Sequence, residues 1–103
     1  MSADYGSFDT ALTAAAGDDP ALMLELRASF VESVRRQISL LGRSRCDANW
    51  LYTGWRLKGL AASFGAVRLI ELADEATEGA PGDPVVLRKL ERAIVEIEEY
   101  FSN

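Results

Sequence analysis

The 103-residue chain contains no histidine and one cysteine, Cys46. That inventory removes imidazole as acid, base, metal ligand or phosphoryl acceptor, and it leaves no internal disulfide and no zinc constellation. Cys46 itself is expected to be a small, partly buried residue rather than a reactive thiol. Carboxylates are plentiful, but Glu71, Asp74, Glu75 and Glu78 read as a solvated helix face rather than as a general acid–base pair. There is no Glu-x-x-His ligand pair, no phosphate-cradling glycine loop and no nucleophile triad. Neither an enzyme nor a cofactor or metal is therefore expected. The segment that stands out is Gly54-Trp55-Arg56-Leu57-Lys58-Gly59, where an aromatic ring, a lysine and two glycines crowd into less than two helical turns.

At about 100° per residue, Leu57, Ala61 and Phe64 fall along one side of a helix through this segment, and Trp55, Gly59 and Ala62 toward the other, with Lys58 flanking them. Measured from the seam Trp50, Gly54, Leu57 and Ala61, the Trp55 side chain is displaced by about 140° and should point outward. Leu51 and Tyr52 partly share its face one turn back, while Gly59 and Ala62 leave space one turn forward. A glycine in the middle of an exposed helix face costs about 1 kcal/mol relative to alanine, so Gly59 calls for a steric reason. Two readings follow. In one, Leu51, Tyr52, Trp55, Gly59, Ala62 and Ser63 form a docking surface with a basic margin from Arg56, Lys58 and Arg35 or Arg36. In the other, the helix is rotated and Trp55 packs inside, covered by the N-terminal helix.

The elements that must hold this segment are helical throughout, because apolar residues recur every three or four positions and the strict alternation of half-buried strands is absent. A short helix is expected from Ser7 to about Ala16, with Phe8, Leu12 and Ala15 on one face and Gly17 ending it. Asp19-Pro20 opens a second helix by capping free N–H groups and placing proline where no N–H bond is lost. Its stripe is Leu22, Leu26, Phe30, Val34, Ile38 and Leu41, with Glu25, Glu32, Arg35 and Arg36 outward and Gly42 as the stop. A third helix should run from about Asp47 to Phe64, ended by Gly65 as a left-handed cap. The fourth carries Ala66, Leu69, Ile70, Ala73 and Ala76 inward and stops before Gly79-Ala80-Pro81-Gly82. Asp83-Pro84 repeats the opening signature for a helix with Leu87, Leu90, Ile94, Ile97 and Phe101 inward. The expected architecture is all-α: an antiparallel up-down-up-down four-helix bundle over residues 18–103, preceded by a segment 1–17 with a short extra helix, the whole forming one domain.

Composition is globular, with 49% hydrophobic and 26% charged residues. No apolar run approaches the roughly 18 residues that cross a bilayer, and Met1–Phe8 lacks a basic start and a hydrophobic signal core, so the expected location is cytoplasmic and no membrane partner is expected. The net charge of −5 argues against nucleic acid as a partner, but it is unevenly spread. Between Arg27 and Lys58 lie seven basic residues (Arg27, Arg35, Arg36, Arg43, Arg45, Arg56 and Lys58) against Glu32 and Asp47, a local net of +5, and the rest of the chain carries −10. If those basic groups converge, the protein would be steered toward an acidic site on a partner; if not, they are ordinary solvated faces.

Residues 54–66, and in particular Leu57, Lys58, Gly59, Phe64, Gly65 and Ala66, resemble the signature of histidine-containing phosphotransfer (HPt) domains: His, any residue, Leu, Lys, Gly, then small residues, Leu or Phe, Gly and Ala. The likeness extends from about Asp18 to Tyr100 and departs from the family at the position that matters most, where Trp55 replaces the histidine. In the family the glycine matching Gly59 lets a receiver domain approach, and the lysine matching Lys58 supplies positive charge near the phosphoryl group. The indole nitrogen of Trp55 has its lone pair in the aromatic system and only donates hydrogen bonds, so Trp55 cannot accept phosphate. Lys58, protonated near neutrality, is no substitute. The resemblance thus implies a protein of two-component phosphorelay signalling that binds a response-regulator receiver domain or a histidine kinase without relaying phosphate, as a competitor or regulator. The alternative is a self-associating structural module that uses Leu51, Tyr52 and Trp55 as a homodimer face; a monomer or weak homodimer is compatible with the two readings together.

Overall fold

A computed structural model describes residues 5–102. Residues 1–4 of the expected N-terminal segment and residue 103 of the expected bundle lie outside the described residues. The described chain is all-helical: α1 (Gly6–Ala16), α2 (Pro20–Gly42), α3 (Asp47–Ser63), α4 (Val67–Glu78) and α5 (Pro84–Ser102), with no strand among the described residues.

Local chemistry accounts for the boundaries. The Asp19 carboxylate accepts hydrogen bonds from the backbone N–H groups of Ala21 at 3.0 Å and Leu22 at 3.2 Å, and Pro20 occupies the first turn of α2. Asp83 accepts from Val85 N–H at 2.9 Å ahead of α5 in the same way. The α3–α4 junction closes as a Schellman turn: Ala66 N–H donates to Ala61 O at 2.9 Å and Gly65 N–H to Ala62 O at 3.1 Å, with Gly65 at φ +64°. A Cβ on Gly65 would also stand 2.9 Å from the Ser7 carbonyl oxygen, so glycine is required there twice over.

Packing follows a simple order. Helix α3 lies against α2 and α4, α5 lies against α2 and α4, and α1 packs on α2. One cluster of buried side chains unites them, including Phe30, Val34, Ile38 and Leu41 of α2, Trp50, Leu57 and Ala61 of α3, Leu69, Ala73 and Ala76 of α4, and Leu90, Ile94 and Ile97 of α5. Trp50 buries its ring completely and satisfies its indole N–H on the Ala76 carbonyl at 2.6 Å, the partner a buried tryptophan needs. Gly54 brings α3 close to α4, since a Cβ there would meet Thr77 Cγ2 at 2.6 Å.

Some expected inward positions are corrected. Leu22 is 36% exposed, and its neighbour Met23 is the residue of that turn that packs against the core. Ala16, not Ala15, is the buried alanine of α1, four residues after Leu12. Leu72, Val86 and Ala93 are buried as well, since helices facing two neighbours bury a wider stripe than a single seam. Cys46 is exposed at the extended residue preceding α3 rather than partly buried, being in the turn and outside the packed helix. Among the described residues, no helix is long and apolar enough to cross a membrane.

Candidate functional site

Helix α3 commits its inward face to Trp50, Gly54, Leu57 and Ala61, and this fixes what its outer face presents. Trp55 is 61% exposed and Tyr52 58% exposed, with Leu51 half-buried beneath them. Gly59, Ala62 and Ser63 extend the exposed surface by two turns. The rotated-helix alternative for Trp55 is thereby overturned. Helix α1 is placed elsewhere: Ser7 Oγ donates to the Gly65 carbonyl at 2.8 Å, Phe8 rests on Phe30 and Phe101, and Asp9 accepts from the Tyr100 hydroxyl. It closes the end of the molecule near Phe64 and leaves the Trp55 face uncovered.

The three glycines of this region differ in the reason for their presence. Gly54 and Gly65 are demanded by neighbours within the chain, whereas a Cβ on Gly59 would meet nothing within 4 Å. Internal packing therefore gives no account of Gly59, and a helix interior pays for it in stability. Its carbonyl accepts the Ser63 hydroxyl at 2.9 Å, a local bond within α3 that leaves the Gly59 surface open.

No family model, curated protein or solved structure matches this chain.

The charged groups around the face are arranged more selectively than their sequence spacing suggested. Lys58 leans to α4, where its Nζ lies 2.8 Å from Asp74 Oδ1. Arg56 turns the other way: its guanidinium carbon is 5.7 Å from the centre of the Tyr52 ring, and an N–H donates to the Tyr52 hydroxyl at 3.4 Å. Arg35 and Arg36, expected to contribute to the margin, are each engaged by a carboxylate of α5 or α2. Arg35 pairs with Glu98 of α5, and Arg36 pairs with Glu32 one turn back at 3.0 Å. Arg27 is drawn over the Phe101 ring at 4.9 Å. Acids on other helices pair with Arg35 and Lys58, Arg36 pairs within α2, and Arg27 and Arg56 lie over aromatic rings, so these five groups are engaged separately. The α4 carboxylates expected as a plain solvated face are partnered too, Glu75 with Lys89 at 3.1 Å and Glu71 with Arg68 at 3.7 Å, in addition to Asp74 with Lys58. At half-exposed positions such pairs contribute about 0–1 kcal/mol each, so they orient side chains more than they stabilise the fold.

Of the residues singled out in the sequence, Tyr52, Trp55, Gly59, Ala62 and Ser63 share an open surface with Leu51 at its base, Arg56 borders it through Tyr52, and Lys58 borders it on the α4 side. Asp74 is the member the sequence reading missed as part of this region. Its pairing with Lys58 depends on how α3 and α4 are set against each other, and no local pattern signals it. No cluster of three or more metal-ligating side chains occurs among the described residues. The arrangement exposes two aromatic rings and a helix backbone without a side chain at Gly59.

Proposed function

We propose that this protein is a degenerate HPt-like module of cytoplasmic two-component signalling, an antiparallel up-down-up-down four-helix bundle that docks a receiver domain or a histidine kinase through the outer face of α3 and relays no phosphate. The order of helix contacts, with α3 between α2 and α4 and α5 completing the circuit, supports the bundle arrangement. The observation that carries the docking reading is the pairing of an exposed Trp55 with Gly59, whose missing side chain no internal neighbour requires. An aromatic anchor beside a gap one turn away is what an incoming surface needs for close approach. With no imidazole in the chain, a bound receiver has nothing to hand its phosphoryl group to.

The test is binding of receiver domains from the same cell to the wild type and to Trp55→Ala. Binding to at least one receiver, weakened by about tenfold or more in the variant, is expected for the loss of an interface anchor. A full panel of receivers and histidine kinases that binds neither form would defeat the proposal. The exposed Tyr52 and Trp55 rings also suit a second copy of the chain, and sedimentation at micromolar concentration separates the cases: concentration-dependent dimers abolished by Trp55→Ala would favour the homodimer module, and a monomer favours the receiver.

A further inference from the structure

Asp74 stands where it controls the only lysine of the α3 face. Its Oδ1 is 2.8 Å from Lys58 Nζ, and both side chains are about half exposed, so the pair faces solvent at the border of the docking surface. The Thr77 hydroxyl donates to the Asp74 backbone carbonyl at 3.0 Å and leaves the carboxylate to Lys58. Arg56, the next cation on the helix, projects about 160° away from Lys58 and is turned onto Tyr52. An incoming phosphoryl group, carrying a charge of about −1.5 to −2, would meet an ammonium already paired with a carboxylate, and Arg56, the other cation of this stretch of α3, is turned away from it.

We infer that Asp74 is a specificity-determining residue that closes Lys58 to phosphoryl oxygens, so that the α3 face selects the unphosphorylated form of its partner. The partner clause rests on the docking reading above, while the closure of Lys58 is a property of this chain alone and can be measured without a partner. Removing the carboxylate frees one positive charge next to Trp55 and shifts the preference toward the phosphorylated form. An exposed pair of this kind contributes little to stability, so its removal leaves the fold intact and changes the charge alone.

The experiment titrates the ¹⁵N-labelled full chain with inorganic phosphate against chloride at constant ionic strength, following the Trp55 indole N–H and the Lys58 and Gly59 amides. Wild type should show no phosphate-specific shift, Asp74→Asn should show one, and Lys58→Met in the Asp74→Asn background should lose it. Equal responses in wild type and Asp74→Asn would overturn the closure of Lys58. Unchanged Trp50 and core amide signals establish that the variants are folded. In a second arm, a receiver that binds wild type is compared with and without its phosphoryl group. Asp74→Asn should shift the preference toward the phosphorylated form by about tenfold at low salt, an effect that added salt screens. An unshifted preference would overturn the selectivity. If no receiver binds wild type, the docking reading falls while the phosphate titration still decides the role of Asp74.

Discussion

On the proposed docking reading, Gly59 exerts opposite demands on stability and recognition. Because a Cβ at this position meets nothing within 4 Å, Gly59→Ala should stabilise the fold by about 1 kcal/mol, the ordinary gain for glycine in an exposed helix interior. The larger Gly59→Leu should fold equally well yet weaken receiver binding by about tenfold or more, because its side chain occupies the approach path. Thermal melts and a binding isotherm on the same samples check both halves; a Gly59→Leu variant that binds like wild type would leave the glycine without a recognition role. The outward direction of Trp55 was legible in the sequence because the inward seam of α3 fixes the angle of every other residue on that helix. The partner of Lys58 was not, since Asp74 belongs to another helix and the pairing depends on how the two helices are set against each other. For the same reason Arg35 could not be assigned from α2 alone: its partner, Glu98, comes from α5.

At the scale of the elements, close approach of α3 and α4 depends on Gly54. Gly54→Ala would bring a methyl group to 2.6 Å from Thr77 Cγ2, and Thr77 is branched at Cβ and held by its own hydroxyl bond to Asp74 O. The expected loss is about 1–3 kcal/mol, the usual cost of overpacking, and Thr77→Ser, which deletes that methyl, should recover most of it in the double variant. Denaturant melts of the four-member cycle measure the coupling. Asp19→Ala should cost about 1 kcal/mol through the lost cap of α2. Helix starts and stops were read well because Asp-Pro and glycine act through local backbone geometry. The width of each buried face was read too narrowly: Leu72 and Val86 lie beside the expected stripes and are buried because α4 and α5 each touch two neighbours.

For the molecule as a whole, α1 fastens one end of the helices and thereby leaves the α3 face open. Phe8 is fully buried against Phe30 and Phe101, Tyr5 stacks on Tyr100 with ring centres 4.3 Å apart, and the Tyr100 hydroxyl donates to Asp9. The hydrogen bond to Asp9, aided by burial, raises the Tyr100 phenol above its ordinary pKa of 10.0. The folded state therefore holds that proton more tightly than the unfolded chain. Its stabilising contribution is complete below about pH 10 and is lost as pH rises through the folded value. The melting temperature should accordingly fall more steeply above about pH 10 for wild type than for Tyr100→Phe, in which the phenol is gone and Tyr5 remains. Parallel declines would show that the Asp9–Tyr100 contact holds α1 only loosely.

The central claim, a face shaped for a receiver around an acceptor that cannot accept, is tested most directly by offering a phosphorylated receiver that binds this protein to the wild type and to Trp55→His. Wild type should take no label, and the histidine variant should acquire acid-labile, base-stable phosphate. Label on the wild-type chain, or a folded Trp55→His that binds the phosphorylated receiver and takes none even when Asp74→Asn is added to release Lys58, would contradict the account.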